Sequence, residues 1–201
     1  MIRKTLVWGA VMALLAVLGI RAVDAAEKAP GAPMGIPPRT VTDYLHAVIE
    51  ADRTFYTIHV VEQLEKKGVL TASENWRVTN TLPLPAQFLD ESSKLAEMTG
   101  AKVRYRLIGL WPINKQNGPV TELERQGLKE VQKRPESPYT GTVTSGPEQY
   151  FVAVYADRAV TQACIGCHNA HPSSPKRDFK IDDVMGGIVI SIPLSREVPE
   201  R

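Results

Sequence analysis

"YTGTVTSGPEQYFVAVYA", residues 139–156, is the stretch on which the fold turns. β-Branched and aromatic residues crowd both halves, and Ser145-Gly146-Pro147 interrupts them with turn chemistry. The run therefore predicts a hairpin of two antiparallel strands. Just upstream, "VTELERQGLKEVQKR" (120–134) repeats apolar residues at helical spacing through Val120, Leu123, Leu128 and Val131. Before it, the turn-rich "WPINKQNGP" follows "KVRYRLIGL" (102–110). There Val103, Tyr105 and Leu107 alternate with Arg104 and Arg106, the period of a strand with one solvated face. "TLPLPAQFLDESSKLAEMTG" (81–100) opens on prolines, continues as a short helix and closes at Gly100.

The longest periodic segment runs from Val41 to Lys67 and predicts an amphipathic helix capped by Gly68. Downstream of the hairpin, "GGIVISIPL" (186–194) supplies another buried strand. Helices and strands in this order favour an α+β domain with an antiparallel sheet over a doubly wound one. No internal repeat is present.

The N-terminus reads as an export signal over residues 1–25: Arg3 and Lys4, the apolar run "LVWGAVMALLAVLGI", then "RAVDA" with Val23 and Ala25 at the positions a signal peptidase inspects. A retained N-terminal anchor is the alternative, and the membrane is a partner only in that case. Either way the working part faces the periplasm. Residues 26–40 read as a flexible Ala/Pro/Gly-rich linker, which leaves 41–196 as one domain. Lys and Arg number 24 against 22 Asp and Glu, without a basic stripe, so nucleic acid is not an expected partner.

Both cysteines fall in "ACIGCHNAHPSSPKRDF" (163–179), two residues apart, with His168 directly behind the second. A dithiol redox site would need a thioredoxin-like βαβ unit, which the order of elements does not supply. Structural zinc needs four ligands, and no second Cys pair exists. Covalent heme c uses all three residues: Cys164 and Cys167 each add to a heme vinyl group, and His168 becomes the proximal axial ligand. Export fits this chemistry.

Taken with "LPLPAQFLDE", "RLIGLWPINKQNGP" and "YFVAVYADRAVTQA", the run "CIGCHNAHPSSPKRDFKIDDVMGGIVISIPL" resembles the Tll0287-like family of c-type heme proteins, also called DUF3365. The resemblance spans about Val41 to Leu194. It implies a PAS-like fold, an antiparallel sheet flanked by helices, with one covalent heme in a sensor-type pocket. Domains of this family often serve as extracytoplasmic inputs of signalling proteins, whereas this chain carries no kinase or cyclase.

The sixth iron ligand decides the chemistry, and no third cysteine is available for it. The candidates are His46, His59, His171 and Met98, with Met185 disfavoured at a strand start. His171 sits three residues from His168, too close to cross the heme, and is expected to touch a propionate or cap the turn at Pro172. On a helix of about 100° per residue, His59 falls within the apolar face of Val41, Leu45, Val48, Phe55 and Tyr56, and His46 falls about 140° away. His59 is therefore the candidate distal ligand, the bland reading being a hydrogen-bonded core histidine. Met98 reads as core. Tyr56, Trp111 and Phe179 are candidate pocket walls, and Arg53, Lys176 and Arg177 candidate propionate partners.

The function expected is a redox or small-ligand sensor, with a diatomic gas as a possible ligand and a periplasmic signalling protein as partner. The alternative is a periplasmic electron-transfer cytochrome with a redox partner protein. An enzyme such as a peroxidase is the weaker third class.

Overall fold

The computed structural model describes residues 35–194. The proposed signal, most of the linker and the extreme C-terminus lie outside the described residues. Pro38 occupies the first turn of helix α1 (Pro38–Phe55), where its fixed φ suits helix entry and its missing N–H costs nothing. The helix continues without a break through a π-helical stretch (Tyr56–Glu62) and a last α-helical turn, α2 (Gln63–Lys66). Gly68, at φ +64°, ends it in the left-handed conformation expected of a C-terminal glycine.

A short helix α3 (Trp76–Thr79) precedes α4 (Pro85–Met98), which closes at Gly100 (φ +82°). Strand β1 (Arg104–Ile108) leads to α5 (Glu122–Lys133), then to the hairpin β2 (Tyr139–Ser145) and β3 (Glu148–Arg158). The last elements are α6 (Gln162–Ala170), which carries the cysteines, and β4 (Val184–Pro193). Helix α5 starts on a capping box: the Glu124 N–H donates to Thr121 Oγ1 at 3.1 Å, while the Thr121 N–H donates to the Glu124 carboxylate. The same carboxylate is buried and takes both Nη2 contacts from Arg106, at 3.0 and 2.9 Å, tying α5 to β1.

The four strands form one antiparallel sheet in the order β1-β4-β3-β2. The α+β architecture with helices flanking an antiparallel sheet is thus the one expected. Alternation along β3 assigns its two faces. Phe151, Ala153 and Tyr155 join Ile49, Leu89, Ile188 and Ile190 beneath α1 and α4; Val152 and Val154 join Leu128, Val131 and Val189 beneath α5. Both faces are covered, which explains why the central strands read as nearly continuous apolar runs.

The rotation of α1 departs from the one expected. Its buried positions are Thr42, Ile49 and Arg53, continued by Thr57 and Val61 in the π stretch, whereas Tyr44, Val48 and Phe55 are more than 60% exposed. A wheel that weighs only apolar side chains misplaces this face because three of its buried members are polar and each has a partner. Tyr155 Oη bonds Thr42 Oγ1 at 2.9 Å, Arg53 pairs with Asp157, and the Thr57 hydroxyl donates to the Arg53 carbonyl. Leu95, Met98 and Val120 are also exposed, so Met98 is not a core residue.

His46 is likewise not turned to solvent. Its ring stacks flat on Tyr155, with centroids 4.0 Å apart, and its side chain is 17% exposed. Glu50 Oε2 lies 3.3 Å from His46 Nε2 in a geometry that forms no hydrogen bond. Burial pulls the imidazole pKa down to about 4, against the partial opposition of Asp43.

Two stability measurements follow from these contacts. Because the folded pKa of His46 lies below the unfolded value, the unfolded chain binds the extra proton, and the stability is complete above the unfolded pKa of about 6.5. It is lost as pH falls toward 4. Thermal unfolding followed by circular dichroism should lose about 3 kcal/mol across that window in the parent and distinctly less in His46→Phe. At Gly186 an added Cβ would collide with the carbonyl oxygen of Ile108 on the paired strand, a backbone atom that cannot turn aside. Gly186→Ala is expected to destabilise by about 1–3 kcal/mol in urea unfolding.

Candidate functional site

Strand β3 delivers the chain to the site. Its register shifts between Asp157 and Arg158, and Thr161 then sets the N-terminus of α6 in an extended conformation. Thr161 is buried, its carbonyl accepts from the Cys164 N–H, and its hydroxyl lies 3.6 Å from Cys164 Sγ. The helix stops at His171 because the residue before a proline is pushed out of the helical region; its ψ is 132°. Between these limits Cys164, Cys167 and His168 occupy positions i, i+3 and i+4 of one helix, hence one face.

The loop after α6 folds back on that face. The Asn169 side chain donates to the Phe179 carbonyl at 2.9 Å and accepts from the Phe179 N–H at 3.0 Å. This holds the Phe179 ring edge-on to His168, with centroids 5.9 Å apart. Trp111 meets Phe179 at 6.1 Å, and the Lys176 ammonium sits 5.4 Å from Trp111 and 4.9 Å from Phe179. Lys176 also pairs with Asp178, and Arg177 donates to the Pro172 carbonyl at 2.7 Å, so both basic residues brace the loop.

His168 Nδ1 is buried and has no hydrogen-bond partner. Burial, then the positive charges of His171 and Arg53, hold the imidazole below its ordinary pKa. It is thereby kept in the neutral form that offers a lone pair to a metal. Both cysteines are free thiols, Cys164 half-buried and Cys167 exposed. Desolvation, followed by the carboxylates of Glu65 and Glu74 and by neighbouring Cys164, pushes the Cys167 thiol up. Among the described residues no group of three or more His, Cys, Asp or Glu is arranged to hold a metal ion.

Of the residues predicted for the site, Cys164, Cys167, His168, Trp111, Phe179 and His171 are brought together. His171 Nδ1 accepts from the Ser173 N–H at 3.1 Å, so it caps the turn beside Pro172, and its Nε2 lies 3.9 Å from Glu74. His59 is exposed rather than on a buried face, its ring against Phe55 at 4.9 Å and its Nδ1 at 3.5 Å from Gln63, because polar pairing turned its helix. Tyr56 serves a different junction. It stacks on Phe88 at 4.5 Å and donates to the Pro83 carbonyl at 2.7 Å, and burial pushes its pKa up to about 12.

Sequence reasoning missed Asp157, Asn169, Glu65 and Glu74. Asp157 alone left a trace, as an acidic residue closing an otherwise apolar strand.

An antiparallel sheet covered on both faces, with two cysteines and a histidine on one face of a late helix, defines the class of protein. A model of the Tll0287-like family matches residues 38–193, and the chain belongs to that family. The crystal structure of the cyanobacterial heme-protein Tll0287 is similar at a TM-score of 0.46 and 16% identity, over 81% of this chain and 100% of that one. No curated protein matches the chain.

The raised Cys167 pKa makes one outcome measurable in the heme-free protein. Its thiolate fraction at neutral pH is smaller than that of free cysteine, so alkylation by iodoacetamide should be slower than for a model thiol despite the exposed position. Glu65→Gln/Glu74→Gln should bring the rate closer to the model value.

Proposed function

We propose that this is an exported protein carrying one heme c through thioether bonds to Cys164 and Cys167, with His168 as an axial ligand, and that it senses redox state or a small ligand. The observation that carries the reading is the i, i+3, i+4 arrangement on α6, with a neutral imidazole whose buried Nδ1 has no partner. The donor set fits the group: two thiols and an imidazole on one face, flanked by Phe179 and Trp111. The similar Tll0287 is described as a heme-protein, and the motif itself is a heme-attachment motif.

Bound there, heme supplies an iron that changes oxidation state and takes a small ligand. The protein's part would be to hold it through Cys164, Cys167 and His168 and to keep the His168 imidazole neutral. His59 is exposed, and His46 is sealed against Tyr155. The His46 ring is already engaged by Tyr155, which supports ligand sensing over permanent bis-histidine electron transfer. The exposure of Cys167 speaks for the second reading, a periplasmic electron-transfer cytochrome, because an attachment point at the surface suits an edge offered to a redox partner.

The test is expression with cytochrome c maturation, then heme staining of a denaturing gel and absorption spectra of reduced protein with and without carbon monoxide. The parent should retain heme on the gel, Cys164→Ala/Cys167→Ala should retain none, and His59→Ala should leave the spectra unchanged. Carbon monoxide uptake by the reduced parent is expected of a sensor; its refusal would leave the electron carrier. A parent that loses its heme on the gel would sink the covalent reading.

A further inference from the structure

We propose that the outward face of helix α1 pairs with the same face of a second copy of this chain, forming a short, parallel, two-stranded coiled coil. The inference is independent of the heme reading above.

Val41, Tyr44, Val48, Ala51 and Phe55 follow one another at alternating steps of three and four residues, so they occupy the a and d positions of a heptad along α1. Val41 is half-buried and Ala51 is exposed, while Tyr44, Val48 and Phe55 are 66%, 61% and 62% exposed. The helix already buries Thr42, Ile49 and Arg53 against its own chain, so this is a second face that the fold leaves uncovered. Beyond Phe55 the wider π turn brings His59 next on the same side, its ring 4.9 Å from that of Phe55. The apolar stripe therefore ends on a polar residue.

The pattern says what covers it. A repeat averaging 3.5 residues keeps facing another helix through a slight left-handed supercoil, whereas a flat surface imposes no such period. No charge falls on the seam: Thr40, Ala47 and Thr54 fill the g positions, and Arg39, Asp43, Glu50, Asp52 and Arg53 all fall at c, e or f. A lipid surface fits less well, because a helix lying on one is rich in Lys and Arg on its polar face, and here the three carboxylates outnumber the two guanidinium groups. The other exposed apolar residues offer no comparable seam. Leu95 and Met98 span one turn of α4, and Val78 and Val120 lie on other segments.

Orientation and strength follow from the same residues. β-Branched Val41 and Val48 at a positions suit a parallel pair of strands. In that pairing Asp52, at e, lies beside the partner subunit's Ala47, at g, and meets no second carboxylate. Tyr44 and Phe55 each leave on the order of 100 Å² of surface exposed. With Val48, Ala51 and the flanking Ala47, two copies reach the ~1,000 Å² at which a specific interface begins. An interface at that lower limit gives a reversible dimer with a dissociation constant of about 1–50 μM.

The experiment is sedimentation equilibrium of the exported protein from about 1 to 100 μM, a range that brackets the expected dissociation constant. The parent should pass from monomer to dimer across it. Val48→Glu sets two carboxylates against each other at an a position and should weaken association at least about 30-fold, with an unchanged circular dichroism spectrum because Val48 is a surface residue. Met98→Glu, at an equally exposed apolar site on α4, should associate like the parent. A second measurement covers a variant that folds poorly: in a parallel pair a d position meets itself, at about the 6 Å Cα separation a disulfide needs. Ala51→Cys should therefore form a covalent dimer under mild oxidation, and neither the parent nor Met98→Cys should. A parent that stays monomeric at the highest concentration, or a dimer that Val48→Glu and Met98→Glu weaken alike, would overturn the proposal. So would cross-linking of Ala51→Cys no faster than that of Met98→Cys. Neither readout uses heme, so a failure of the heme reading leaves this test intact.

Discussion

Strand β3 holds helix α1 by polar ties at both ends of the helix, and the geometry of the site descends from that seam. Near the start of α1, Tyr155 Oη donates to Asp43 at 2.8 Å and bonds Thr42. In its last turn, Arg53 reaches Asp157. Hydrogen bonds to buried partners are directional, so two of them on one helix fix its rotation as well as its place. Apolar contacts alone would let it roll. With the rotation set, His46 is pressed onto Tyr155, Tyr56 reaches Pro83, and His59 is carried to the surface. The same strand then runs into α6, so the tie that orients α1 also locates the cysteines.

The sheet was legible in the sequence because its signals are local. Gly146-Pro147 turns the hairpin, and alternation separates Ala153 and Tyr155 from Val152 and Val154 on opposite faces. The attachment motif was legible for a similar reason: its geometry is contained in one short helix. The rotation of α1 was not, since it depends on Tyr155 and Asp157, about a hundred residues downstream. Hydrophobic periodicity counts side chains that avoid water and is blind to Thr42, Arg53 and Thr57, which are buried because each has found a partner.

The loop that closes the site shows an intermediate case. Trp111 and Phe179 could be named from the sequence as aromatic walls, but the device that places them could not. Asn169 makes its paired hydrogen bonds to the backbone of Phe179 ten residues on, folding the segment back over α6. No periodicity marks such a clasp. Of the acidic pair whose charges act on Cys167, Glu65 comes from the last turn of the long helix and Glu74 from the segment that follows it. Their proximity depends on where that helix ends, and so again on the seam with β3.

The π-helical stretch belongs to the same account. Ile49, Arg53, Thr57 and Val61 are four residues apart and all buried. In an α-helix, steps of four overshoot one turn, so such a stripe drifts steadily round the cylinder. A wider π turn carries fewer degrees per residue and reverses the drift. Placed directly after Phe55, it lets Thr57 and Val61 stay on the side that Arg53 occupies, while the Thr57 hydroxyl bonds the Arg53 carbonyl. A buried ion pair is a costly way to orient a helix, and well-packed apolar side chains often do it as well or better. What they cannot do is supply direction, as the 2.7 Å Arg53–Asp157 contact does. The combination of Arg53, Asp157 and the π turn therefore fixes the rotation of the long helix against β3, and with it which of its side chains are buried.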